Sequence, residues 1–195
     1  MKADGVLRVV IADDEPICKM DLSELLKAAG YDVVGEVSDG FDAVEICRKL
    51  HPDLILLDIK MPLLDGLSAA KIVHEEGLAE TIILMTAYSE REFVEQAKNC
   101  GVGGYLVKPI DEKSLIPNIE VVVNRSREMG RLRRDIEKVN TRLESRVVVE
   151  KAKGQIMRQQ NMSEQEAYEY IRKLSLTKHL SMKRVAEMIL TRNEG

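Results

Sequence analysis

Leu54-Ile55-Leu56-Leu57-Asp58-Ile59-Lys60-Met61-Pro62 is the stretch on which the fold turns. Four apolar residues in a row, led in by Pro52-Asp53, predict a strand buried on both faces, as in a parallel sheet. Asp58 then stands where that strand emerges. Its carboxylate faces the crevice at the strand's carboxyl end, where open α/β sheets bind ligands. The plainer reading of a single aspartate is a polar residue that starts a loop, and the flanking sequence separates the two.

Upstream, Leu7-Arg8-Val9-Val10-Ile11-Ala12 is a β-rich run ending in Asp13-Asp14-Glu15. Pro16 suits the first turn of a helix carrying Ile17, Met20, Leu22, Leu25 and Leu26, with Gly30 as its C-terminal cap. Val33-Val34-Gly35-Glu36-Val37 is a second strand. Asp39-Gly40 turns into a helix through Ala43, Val44, Ile46, Cys47 and Leu50. Downstream, Asp65-Gly66 opens a third helix, and Ile82-Ile83-Leu84-Met85 is a fourth strand ending at Thr86-Ala87. A helix through Phe93, Val94 and Ala97 closes at Gly101, and Gly104-Tyr105-Leu106-Val107 is a fifth strand ending at Lys108-Pro109. Strands alternating with helices predict a doubly wound, five-stranded parallel α/β sheet. Polar residues recur where the strands end, so Asp13, Asp14, Asp58, Thr86 and Lys108 converge on one sheet edge.

Three carboxylates in one pocket repel, and a hard divalent cation such as Mg²⁺ relieves the repulsion. A carboxylate beside such an ion can take a phosphoryl group, with Lys108 and Thr86 placed to meet its oxygens. With these residues in view, 1–123 resembles the receiver domain of two-component response regulators, a fold like that of CheY and flavodoxin. The resemblance rests on Asp13-Asp14, Asp58-x-x-Met61-Pro62, Thr86-Ala87 and Lys108-Pro109. It implies that Asp58 accepts phosphate from a sensor histidine kinase. It further implies that Asp13, Asp14, Asp58 and the Lys60 backbone carbonyl hold Mg²⁺, and that Thr86 couples the phosphoryl group to a switch aromatic, Tyr105. Such a domain is not an enzyme in its own right.

Composition bounds the remainder. The chain has 195 residues, 45% of them hydrophobic, enough for packed cores. No run of about 18 apolar residues predicts a membrane span. Cys18, Cys47 and Cys100 lack paired spacing and read as buried hydrophobes of a reducing cytoplasm. His51, His74 and His179 lack metal-ligand spacing, and no Gly-Lys-Ser/Thr follows the glycines at 101–104. Residues 1–123 carry 12 Lys+Arg against 23 Asp+Glu, whereas residues 124–195 carry 17 against 10. An acidic first half and a basic second half imply separate tasks, the second one toward a polyanion; a solvated helical surface is the bland alternative.

The connector, 124–145, follows a helix start at Asp111 and an interruption by Pro117, with a kink or restart expected near Ser114. Met129, Leu132, Ile136, Val139 and Leu143 recur at heptad spacing, predicting a short coiled coil and a homodimer, or else one amphipathic helix packed on its own chain. Residues 146–195 form a three-helix all-α pattern. Val147, Val148, Ala152, Ile156 and Met157 make the first stripe, closed by Asn161. Ser163 and Glu166 form a capping box, with Ala167, Tyr170, Ile171 and Leu174 inward. Val185, Met188 and Ile189 face inward from a last helix beginning near Ser181. The outward residues read as basic: Lys151, Lys153, Arg158, Arg172, Lys173, Lys178, Lys183 and Arg184. They fit DNA in a helix-turn-helix, RNA loops and backbone, or no nucleic acid at all if the module docks a protein.

Glu150-Lys151-Ala152-Lys153-Gly154-Gln155-Ile156-Met157, Ser163-x-x-Glu166-Ala167-Tyr168, Ile171-Arg172 and Val185-Ala186 resemble the ANTAR domain, with Ser175 where the family usually has Ala. This resemblance implies binding to paired RNA hairpins in mRNA leaders and transcription antitermination, with Lys151, Lys153, Gly154, Arg158 and Arg172 on the RNA face. The pairing of receiver and ANTAR further resembles EutV-type regulators of ethanolamine utilisation. A dimer formed on phosphorylation would join two such modules.

Overall fold

The computed structural model describes residues 5–87 and 100–191. The helix expected through Phe93, Val94 and Ala97 lies outside the described residues. Five strands, β1 (Arg8–Ala12), β2 (Asp32–Val37), β3 (Leu54–Asp58), β4 (Thr81–Thr86) and β5 (Gly104–Val107), form one sheet in the order β2-β1-β3-β4-β5. Every pairing is parallel, with an irregularity in β1 between Val9 and Val10.

The two-residue period of a strand explains why its central members are apolar throughout. Val10, Ala12, Ile55, Leu57, Ile82 and Leu84 point to one face, against Ala43, Val44 and Cys47 of α2 (Gly40–Leu50) and Ala69, Ala70 and Val73 of α3 (Gly66–Glu75). Val9, Ile11, Leu54, Leu56, Ile83 and Met85 point to the other face. There they meet Leu22 and Leu26 of α1 (Pro16–Ala28), with Leu115, Ile119 and Val123 of α4 (Glu112–Gln160). Pro16 occupies the first turn of α1, and Asp39 and Asp65 cap α2 and α3 by accepting from the Asp42 and Ser68 amides at 2.9 Å.

Pro117 does not interrupt α4, a single helix of 49 residues. Proline removes one backbone donor near the start of the helix, where Asp111 already accepts from the Ser114 amide at 2.8 Å and the Asn118 side chain donates to the Ser114 carbonyl at 2.7 Å. These local bonds support the turn that a kink was expected to break. The expected boundaries at 123/124 and 145/146 both fall inside α4, and the compact units divide between Gly130 and Arg131. Leu132, Ile136, Val139 and Leu143 are each more than half exposed, so the stripe does not pack on its own chain among the described residues.

In the second unit, the end of α4 packs with α5 (Glu164–Lys178) and α6 (Met182–Thr191). Asn161 adopts φ 52° after α4, and Ser163 and Glu166 form the reciprocal capping box. The core is small: Ala152, Ile156, Ala167, Ile171, Val185 and Ala186. Val147 and Met188, expected inside, are more than half exposed, and Tyr170 is also outward; Ala186 takes the inward place beside Val185. Among the described residues, no helix is long and apolar enough to cross a membrane.

Candidate functional site

Parallel pairing brings the carboxyl ends of β1, β3, β4 and β5 to one edge. Asp13 follows β1 and is fully buried, Asp58 ends β3 and is nearly so, and Thr86 ends β4, also buried. Asp14 is exposed beside them. The carboxylate oxygens of Asp13, Asp14 and Asp58 lie within 4.8 Å of one another. Lys108 Nζ reaches in from the end of β5, 2.7 Å from Asp58 Oδ2 and 2.8 Å from Asp13 Oδ2. The backbone fixes the acids as well: Asp13 Oδ1 accepts from the Glu15 amide at 2.9 Å, and Asp58 Oδ1 from the Lys60 amide at 3.3 Å. Asp13, Asp14, Asp58 and Lys108 therefore meet, and Thr86 stands at the end of the neighbouring strand.

Charge and burial compete here. Burial and the neighbouring Asp13 raise the Asp58 pKa, against the lowering effect of Lys108. Burial works to lower the Lys108 pKa, but the Asp13 and Asp58 carboxylates outweigh it and hold the ammonium above its usual range. Asp13 Oδ2, fully buried, is held by the Lys108 ammonium at 2.8 Å. Three carboxylates this close, two of them buried, are a donor set that suits a hard divalent cation. Asp14 and Lys60 line a shared cleft of about 590 Å³ with Met61, Pro62 and Asp65.

Two features of this edge escape a reading of single motifs. Gly66 must lack a side chain, because a Cβ there would run into the Asp58 carbonyl oxygen. Its amide donates to the Ile59 carbonyl at 2.9 Å, which ties the start of α3 to the loop after Asp58. Cys18, one turn into α1, abuts Asp13, and burial together with that carboxylate pushes its thiol up to about 12. Nothing in the cysteine's sequence spacing signals this contact. Tyr105, the expected switch aromatic, is more than half exposed on β5.

The basic residues of the second unit are not equivalent. Lys153, expected outward, is buried, and its ammonium meets Glu150 at 2.9 Å and Glu164 at 2.7 Å. Those two carboxylates, Glu164 first, raise its pKa, and Lys153 lowers that of Glu164 in return. Burying an ammonium demands such partners. Lys153 thereby ties the end of α4 to the first turn of α5, and its place on an outer face is corrected. Arg172 is exposed and paired with Glu169 at 3.4 Å, Lys183 with Glu144 at 3.3 Å and Arg184 with Glu187 at 3.4 Å. Lys151 and Arg158 are exposed with no carboxylate partner among the described residues.

Comparison with known proteins bears on both units. The response regulator receiver domain matches residues 9–120, and the ANTAR domain matches residues 137–190. The transcriptional regulatory protein PdtaR of Mycobacterium tuberculosis is 42% identical over 183 residues, covering 94% of this chain and 89% of that protein. Among solved structures, the receiver domain of the response regulator NarL from M. tuberculosis matches with TM-score 0.58 at 30% identity, over 61% of this chain and 97% of that one. CheY in a CheX–CheY–BeF₃–Mg²⁺ complex from Borrelia burgdorferi matches with TM-score 0.56 at 26% identity, over 60% and 90%. With three carboxylates and a lysine gathered at one sheet edge and a helical unit after it, the chain belongs to the response regulators that join a receiver domain to a C-terminal ANTAR domain.

Proposed function

We propose that this chain is a phosphorylation-switched antiterminator that takes a phosphoryl group from a sensor histidine kinase onto Asp58 and, so modified, binds paired hairpins in mRNA leaders. The observation that carries the first half is the meeting of Asp13, Asp14, Asp58 and Lys108 at one sheet edge. An Asp58 oxygen forms the new P–O bond as the P–N bond of the kinase phosphohistidine breaks and the imidazole leaves. Mg²⁺, held by Asp13, Asp14, Asp58 and the Lys60 carbonyl, would supply positive charge to the transferring group. Lys108 lies close enough to Asp58 to follow the charge from carboxylate to phosphoryl oxygens. Thr86, at the end of the neighbouring strand, offers its hydroxyl to the same oxygens, and Tyr105 turns inward as Thr86 shifts.

Modification changes the charge at Asp58 from −1 to roughly −2 and adds strong acceptors. The exposed stripe Leu132, Ile136, Val139 and Leu143 pairs two copies at heptad spacing, so that two ANTAR modules meet two hairpins. The unpaired cations Lys151 and Arg158 supply phosphate contacts; Arg172 contributes only by leaving Glu169. The test is binding of full-length protein to a labelled two-hairpin RNA, to one hairpin and to duplex DNA, each with and without acetyl phosphate and Mg²⁺. Tighter binding to paired hairpins after phosphorylation is the expected result. Preference for DNA would replace the output, and no binding in any arm would end the nucleic-acid reading.

A further inference from the structure

Leu63 is 83% exposed, more than any other large apolar side chain described, and its φ is 66°. A side chain in this left-handed region crowds its own backbone, so glycine or asparagine is the ordinary occupant. The other non-glycine residues described with positive φ, His51, Asn161 and His179, are polar, and each follows the end of a helix. Leu63 instead stands in a tight turn, in which the Leu64 amide donates to the Pro62 carbonyl at 2.8 Å. Three-residue turns with a positive central φ are rare and strained. Leu64 packs against the core under α2 and α3, but Leu63 gains no such burial. Its side chain therefore answers to something outside the chain.

The setting indicates what. Pro62 and Asp65 line the cleft of about 590 Å³ that also holds Asp14 and Lys60, so the Leu63 turn is part of the rim beside Asp58. The start of α2 abuts the same turn: a Cβ at Gly40 would lie 2.3 Å from the Leu64 carbonyl oxygen. Phe41, the residue after Gly40, is 57% exposed. Two large apolar residues thus flank one backbone contact, with the exposed carboxylates of Asp42 and Asp65 nearby in the chain. Ile17, in the first turn of α1, is exposed too, but on ordinary helical backbone. A second copy meeting this patch symmetrically would bring its carboxylates against their own kind. A phosphoryl group carried on a protein histidine, by contrast, reaches Asp58 only when the protein bearing it covers the rim. Acetyl phosphate is small enough to enter without touching it.

We infer that Leu63 and Phe41 anchor the sensor histidine kinase during transfer, seated in an apolar hollow bordered by basic side chains on the kinase. This rests on the phosphotransfer reading above and adds a surface by which the chain selects its protein donor over small ones.

The experiment uses full-length wild type, Leu63→Gly, Leu63→Met and Phe41→Ser with two phosphodonors and Mg²⁺. One donor is acetyl phosphate; the other is the autophosphorylated cytoplasmic part of whichever sensor histidine kinase of the same genome labels wild type fastest. Melting temperature and sedimentation are measured alongside. Leu63→Gly relieves the turn as it removes the side chain, so it is expected to melt at the same or a higher temperature and to sediment unchanged. Acetyl phosphate should label it at the wild-type rate, and the kinase, below saturation, about tenfold more slowly. Phe41→Ser should show the same split between donors, and Leu63→Met should keep most of the kinase transfer. Undiminished kinase transfer to Leu63→Gly would overturn the inference. Equal slowing with both donors would make Leu63 a support of the loop, a lowered melting temperature would make it a requirement of the fold, and altered sedimentation would make the patch a contact between copies; each result overturns it. A wild type labelled by acetyl phosphate but by no kinase would remove the kinase reading and this inference together.

Discussion

Replacing Lys153 by alanine and by methionine separates its buried stem from its charge. Alanine removes three methylenes of a buried side chain, at about 0.8 kcal/mol each, and so costs about 2.4 kcal/mol of packing. Methionine keeps a stem of similar length and loses only the ammonium. Glu150 and Glu164 remain more than half exposed and can turn to water, so that loss is modest. Hydrogen exchange in peptides covering α5 and α6 reads the difference. Opening in Lys153→Ala should be about fiftyfold more frequent than in wild type, from about 1.4 kcal/mol per decade, and far less changed in Lys153→Met. Because the ammonium faces Glu164 rather than solvent, Lys153→Met should leave the salt slope of RNA binding where it was. A slope lower by one phosphate contact would place this ammonium on RNA and refute the structural role. Equal exchange in the two variants would refute the packing role.

Three further outcomes follow from the receiver unit and the helix after it. Burial raises the Asp58 pKa, so its contribution to stability is present below the unfolded value near 3.9 and is lost as pH rises through the elevated folded value. In EDTA, wild type should therefore lose stability relative to Asp58→Asn as pH is raised from about 4 to 7, and parallel curves would contradict the raised pKa. Gly66→Ala forces a methyl into the Asp58 carbonyl, so it should cost about 1–3 kcal/mol in denaturant melts and slow phosphorylation by acetyl phosphate; wild-type values for both would show that the loop yields freely. Ile136→Lys, in the exposed stripe, should leave the melting temperature of the monomer unchanged but abolish dimers in sedimentation after phosphorylation, and persisting dimers would move the interface elsewhere.

The receiver edge is legible in sequence because strand ends are local events. A run such as Leu54–Leu57 announces burial on both faces, and the polar residue after it needs no tertiary knowledge to be placed. The stabilising partners across the fold are harder to see. Gly66 reads as a turn residue until the Asp58 carbonyl is found above it. Lys153 reads as surface because lysine usually is; its nearer partner in sequence, Glu150, stands at i−3, but Glu164 lies across the turn between two helices. Pro117 reads as a breaker, yet an early position in a capped helix softens its effect. Val147 and Met188 fit an apolar stripe by spacing alone, and only the small size of the third core leaves them outside it.

The unbroken helix α4 makes the segment between Leu132 and Leu143 behave like a geared shaft. Each residue advances the helix by about 100°, so deleting one residue there would carry Leu143, Val147 and everything beyond them off the line through Leu132. Deleting seven, about two turns, would return them to within roughly 20° of it. Deletions that remove whole heptads from this segment therefore keep the Leu132–Leu143 stripe in phase, and those that remove one to three residues break it.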